Sequence, residues 1–158
     1  VERSRGLGDV YKRQVGLYCS LALTPNWGEP RIAYYDSTNG CVKIASRFKN
    51  DTVWTIERVT PDDGDYGINT SLGLDPAGKA MITFQQNTVT VNRQGLMFAR
   101  ELADGWQVYT LDDEGITGFD AALAHPFMTV GGLAVAVFIG ADLQFILGPA
   151  EDLSEEEA

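Results

Sequence analysis

The sequence predicts an all-β fold built from a repeated, four-stranded antiparallel unit, and three observations carry that prediction. First, the segment Val15-Gly16-Leu17-Tyr18-Cys19-Ser20-Leu21-Ala22-Leu23 returns as Tyr66-Gly67-Ile68-Asn69-Thr70-Ser71-Leu72-Gly73-Leu74. It returns again, eroded, as Thr117-Gly118-Phe119-Asp120-Ala121-Ala122-Leu123-Ala124, so that Gly16, Gly67 and Gly118 stand 51 residues apart. A fixed period of this size marks supersecondary units that stack to bury their apolar faces. Second, each unit carries short apolar runs separated by turn residues, the pattern of an antiparallel meander. Third, no segment outside the acidic tail sustains a helical period.

The first strand of each unit opens at the glycine. Strict alternation puts Leu17, Cys19, Leu21 and Leu23 on one side and Tyr18, Ser20 and Ala22 on the other. The copies keep Ile68, Leu72 and Leu74, then Phe119 and Leu123, on the bulky side, while Ser71, Gly73, Ala122 and Ala124 keep the opposite side small. Such a strand suits close packing on both faces. A short turn follows, at 24–28 and again at 75–78, in residues that favour turns. Second strands are expected at 31–35, 81–84 and 133–138, and third strands at 41–45, 96–99 and 143–147. Fourth strands open on tryptophan, at Trp54 and Trp106. Between its second and third strands the second unit has an amide-rich stretch, 85–94, expected to be a long exposed turn where the first unit needs only 36–39.

Four strands in about 50 residues match a β-propeller blade, kelch-like in length. The run Pro30 to Ala45, PRIAYYDSTNGCVKIA, with GLYCSLAL and the tryptophan-led fourth strand, resembles the IAYYD-type repeats of bacterial propeller proteins, loosely related to sialidase-like repeats. Asp104-Gly105-Trp106 echoes part of a sialidase-type Asp box. The resemblance covers residues 15 to about 147. It implies a propeller-like array of antiparallel blades, two complete and one incomplete: 15–66, 67–117 and 118–148. An acidic tail occupies 149–158.

Residues 1–14 fall outside this register. The acidic turns before Gly67 (Asp62-Asp63-Gly64-Asp65) and Gly118 (Asp113-Glu114-Gly115) have no counterpart before Gly16. The leader GLGDVYKRQ resembles adapter-derived sequence of metagenomic reading frames and is set aside as non-native or disordered. With the third unit ending after three strands, the chain is expected to be a fragment whose partners include the remaining blades of a parent protein. The faces and strand edges left bare by such a fragment should make it prone to associate.

The net charge of −10 divides into +2 over 1–14, −7 over 15–150 and −5 over the tail. An acidic body without a basic stripe argues against nucleic acid and anionic membranes as partners. The longest apolar run, 133–139, is far too short to span a bilayer as a helix. Cys19 and Cys41 lie on strands two apart, a spacing of roughly 9–10 Å that does not suit a disulfide in a regular sheet. Both are expected to be small buried hydrophobes.

No catalytic constellation emerges. His125, the only histidine, replaces a bulky strand-end residue, and a single histidine removes most zinc sites and a Ser-His-Asp triad within this chain. The recurrent acidic turns could hold Ca²⁺ through Asp62, Asp63, Asp65, Asp113 and Glu114, and the same residues equally suit a solvated link between units. No other cofactor is implied. Tyr18, Asn69 and Asp120 stand two positions after the recurring glycine, at the mouth of a channel if first strands line one, where a grafted ligand site would vary. Asp36, Gln86, Asn87 and Asn92 complete a candidate set for a carbohydrate or protein ligand, because carboxylates and amides suit hydrogen bonding to either.

The expected function is therefore a non-catalytic propeller segment of a larger secreted or surface bacterial protein, binding a ligand or serving as a scaffold. The alternative is a fragment of a sialidase-like or other glycan-processing propeller enzyme, which needs converging carboxylates and, for an acidic sugar, clustered arginines. Three or more arginines near Asp36 or Asp120 would favour it.

Overall fold

The computed structural model describes residues 15–87, 95–113, 119–124, 132–139 and 142–149. In the last three stretches it describes the side chains of Ala122 and Leu123 alone. All secondary structure among these residues is β, and it forms three antiparallel meanders. Sheet one runs β1 (Val15–Leu23), β2 (Pro30–Asp36), β3 (Cys41–Ser46) and β4 (Thr55–Arg58) in spatial order. Sheet two repeats this order with β5 (Tyr66–Leu74), β6 (Ala80–Gln86), β7 (Leu96–Glu101) and β8 (Trp106–Asp112). Sheet three comprises β9 (Phe119–Ala124), β10 (Gly132–Ile139) and β11 (Asp142–Pro149).

The sheets pack face against face with their first strands adjacent, β5 lying against β1 and β9 against β5. Sequence alternation explains this. Ala80, Ile82 and Phe84 of β6 point one way with Leu72 of β5 and with Met97 and Ala99 of β7, towards Ala33, Val42 and Ile44 of sheet one. Phe84, Ile82, Ile44 and Val42 are fully buried, so this interface is the core of the described chain. The small side of each first strand lets the next sheet approach. Ser20 Oγ accepts a hydrogen bond from the Leu72 amide at 3.0 Å, and Ser71 Oγ accepts one from the Leu123 amide at 3.1 Å. The two bonds are the same contact, made one repeat apart. A Cβ on Gly73 would run into the Leu123 side chain.

The unbroken alternation expected along the first strand does not occur. Between Val15 and Ser20 the register with β2 shifts twice, and the same two shifts recur between Tyr66 and Ser71. Each shift inserts an unpaired residue into the first strand, a β-bulge. Leu17, opposite Tyr35, therefore falls on the same side as Ser20, opposite Ala33, and leaves the Leu21 and Leu23 side. Two backbone features accompany the bulges: glycine at positive φ (94° at Gly16, 131° at Gly67), then a non-glycine residue in the left-handed region two positions on. Thr70 Oγ1 closes the second bulge by donating to the Gly67 carbonyl at 2.7 Å. Cys19 sits in the second bulge of β1 and is exposed, against the expectation of burial, while Cys41 is buried; both are free thiols.

Two further expectations need correction. Gln85 and Gln86 belong to β6 rather than to an exposed turn, because pairing with β5 and β7 continues to the strand end and leaves Gln85 fully buried. Residues 88–94 lie outside the described residues, as do 1–14 and the acidic tail. Trp54 stands ahead of β4 and is 40% exposed, whereas Trp106 begins β8 as expected.

Candidate functional site

One end of sheets one and two gathers most of the candidates. It contains the start of β1, the 37–40 turn, the 59–65 link into β5 and the end of β6. Backbone bonds hold these parts together: the Tyr66 amide donates to Gly40 O at 3.1 Å, and the Asn87 amide to Asp65 O at 2.7 Å. Tyr18, Asp36, Asp62, Asp63, Asp65, Asn69, Gln86 and Asn87 all belong to this rim, because the bulged glycine segment begins each first strand opposite the end of the second.

Within the rim the carboxylates have definite partners. Asp36 is buried and organises the β2–β3 turn, accepting from the Thr38 and Asn39 amides, from Asn39 Nδ2 at 2.7 Å and from Lys43 Nζ at 2.6 Å. Burial pushes its carboxyl up, but the bonds from Lys43 and Asn39 outweigh burial and hold it below its ordinary value. Asp65 links the two sheets: its Oδ1 accepts from Tyr35 Oη at 2.6 Å and its Oδ2 from Asn87 Nδ2 at 3.1 Å. Asp63 accepts from Tyr66 Oη at 2.9 Å, and burial together with that bond pushes the phenol up to about 12. Asp62 pairs with Arg58.

The three carboxylates of the acidic turn thus go to separate partners, four in all. Among the described residues no three His, Cys, Asp or Glu side chains are grouped so as to hold a metal ion. Asp113 is exposed after β8; Glu114, Asn92 and His125 lie outside the described residues, and so does the side chain of Asp120 on β9. The arginine test has a partial answer. The cation on Asp36 is Lys43, while Arg58 also donates to the Thr60 and Pro61 carbonyls and Arg31 belongs to the opposite end of the sheets. Arg93 is outside the described residues.

Tyr18 and Asn69 are the rim's unusual residues. Both occupy left-handed backbone, at φ 49° and 53°. Asparagine tolerates that region, whereas an aromatic residue there is an outlier that costs on the order of 1–3 kcal/mol. Asn69 Nδ2 donates to Gln85 Oε1 at 2.8 Å. Tyr18 is 47% exposed, and its ring is tilted 35° against the Tyr35 ring, 6.4 Å between centroids. Tyr35 in turn packs on Gly67, where a Cβ would stand 2.5 Å from its ring.

Sequence reasoning missed Tyr35, Gln85 and Tyr66. A signal existed for the first two: Tyr35 and Gln85 hold the same place in their units, each opposite the residue that follows the bulged glycine. It also missed a polar tie at the far end. Buried Arg31 donates to Ser46 Oγ, to Gly78 O at 2.9 Å and to Glu101 Oε2 at 2.6 Å, joining sheet one to sheet two. Glu101 also accepts from the Ala80 amide and Lys79, and these bonds overcome burial to hold its carboxyl below the ordinary value.

Compared with protein-family models and with curated proteins, the chain matches none.

Proposed function

We propose that this chain is a non-catalytic, β-propeller-type array of antiparallel units whose bulged rim serves ligand binding. The observation that carries the reading is the repeated contact between sheets, Ser20 Oγ to the Leu72 amide and Ser71 Oγ to the Leu123 amide. Similar contacts one repeat apart support a reading in which sheet three follows sheet two as sheet two follows sheet one, as successive propeller blades would. Adjacent first strands and an exposed β4 agree with first strands innermost and fourth strands outermost. The secreted or surface setting that the resemblance implies belongs to the same proposal.

A non-catalytic role has its own support. Glycoside hydrolysis needs a carboxylic acid kept protonated near neutral pH. Asp36 and Glu101 are shifted the opposite way and closed into ion pairs. Incubation of the full chain with a panel of fluorogenic α- and β-glycosides tests the reading. Release at the buffer rate is expected, and turnover that disappears in Asp65→Asn or Asp36→Asn would overturn it.

A further inference from the structure

We infer that the rim around Tyr18 binds an uncharged carbohydrate, with a sugar ring stacked on Tyr18 and its hydroxyl groups held by Asn69, Asp65 and Asn87. The inference rests on the rim being a binding surface and adds the ligand's chemical class.

The first argument is the cost of Tyr18. The same bulge occurs twice, and the second copy fills its left-handed position with asparagine, which adopts that backbone readily. In the first copy tyrosine occupies it, with nearly half of its surface in solvent. Burial of the ring does not repay the strain, so the ring is held there for what it presents outward. Strained non-glycine residues and bulges both concentrate where a chain must aim a side chain at a ligand.

The second argument is the company the ring keeps. Tyr35 supports it from behind and is itself anchored by Asp65. Asp65 receives two hydrogen bonds, and a carboxylate has about four acceptor sites. The carboxamide of Asn87 lies beside it and that of Asn69, bonded to Gln85, belongs to the neighbouring bulge; both residues are half-buried. The bond from the Leu72 amide to Ser20, two residues past Tyr18 and three past Asn69, sets the two bulges next to each other. An aromatic face flanked by carboxylate and amide groups matches a ring with apolar C–H faces and a hydroxyl edge.

The third argument is charge. Asp65, which stands on the Tyr35 hydroxyl beside the Tyr18 ring, is bonded to the neutral side chains of Tyr35 and Asn87, while the rim cations Lys43 and Arg58 are bound to Asp36 and Asp62. An anionic ligand would meet repulsion there.

Isothermal titration of the full chain with glucose, galactose, mannose, cellobiose and lactose tests the inference, with N-acetylneuraminic acid as the charged comparison. At least one neutral sugar should bind saturably, and the charged sugar should not. Tyr18→Asn should weaken that binding about tenfold or more, while raising Tm by about 2–4 °C because asparagine accepts the backbone. Tyr18→Phe, which keeps the stacking face, should bind within about threefold of the parent chain. Absence of saturable binding by every neutral sugar would overturn the inference, as would unchanged affinity in Tyr18→Asn. A lowered Tm in Tyr18→Asn would make Tyr18 a packing residue and overturn it too. Failure here without glycoside turnover leaves the binding-array reading standing; turnover removes that reading whatever the titration gives.

Discussion

β1 and β5 are copies of one nine-residue pattern, built alike and used differently. Both open on a glycine at positive φ, both bulge twice at the same positions, and both offer a serine to the sheet that follows. Yet Leu72 on β5 is 6% exposed and its counterpart Leu21 on β1 is 62% exposed. Nothing in the two strands accounts for this. Leu72 is covered because sheet one lies over it, and the equivalent face of sheet one has no sheet over it among the described residues. Stability in such an array belongs to the interfaces between units more than to the units.

The largest expected effect follows from that contrast. Leu72→Ala should destabilise the chain by about 2–5 kcal/mol, whereas Leu21→Ala should stay within about 0.5 kcal/mol. Urea denaturation of both variants measures the difference, and equal costs would break the comparison.

The two opening glycines sharpen it. A Cβ at Gly16 meets nothing within 4 Å, so Gly16→Ala carries only the backbone cost of positive φ, about 1 kcal/mol. A Cβ at Gly67 meets the Tyr35 ring at 2.5 Å, so Gly67→Ala adds roughly 1–3 kcal/mol of overpacking. Thermal melts of the two variants should rank them in that order.

How much of this could be read beforehand depends on the range of the signal. The period, the meanders and the turns follow from local patterns, and the observed strands agree with them closely. The bulges were hidden, because a glycine followed by alternating residues is equally compatible with a regular strand; only backbone geometry reveals the extra residues. Burial of Cys19 failed for the same reason. The tie from Arg31 to Glu101 spans 70 residues, and Met81 holds the place of Arg31 in the second unit, so the repeat carried no hint of it. The rim candidates were legible as a group, since the period places them on one end, but their supporting residues Tyr35 and Gln85 are recognisable only through cross-strand partners.

The two ends of the sheets also differ in what acid should do to them. Asp36 at the rim and Glu101 at the far end have folded-state pKa values below their ordinary 3.8 and 4.5. Each therefore contributes stability that is fully present above its ordinary value and is lost as pH falls through the lower folded one. Melts between pH 6 and pH 2 should show Tm falling from about pH 4.5 downward. Glu101→Gln should flatten the upper part of that fall, and Asp36→Asn the lower part. A fall unchanged in both variants would contradict the assignment.

The smallest effect is the most direct test of the array. Ser20→Ala and Ser71→Ala each remove one acceptor between sheets and should cost only about 1 kcal/mol. Amide hydrogen exchange resolves where that cost falls. Ser20→Ala should speed exchange at Leu72 with Leu123 unaffected, and Ser71→Ala should speed exchange at Leu123 with Leu72 unaffected. Exchange that quickens only within the substituted strand, or at neither leucine, would contradict the claim that each sheet is held to the next by the same repeated contact.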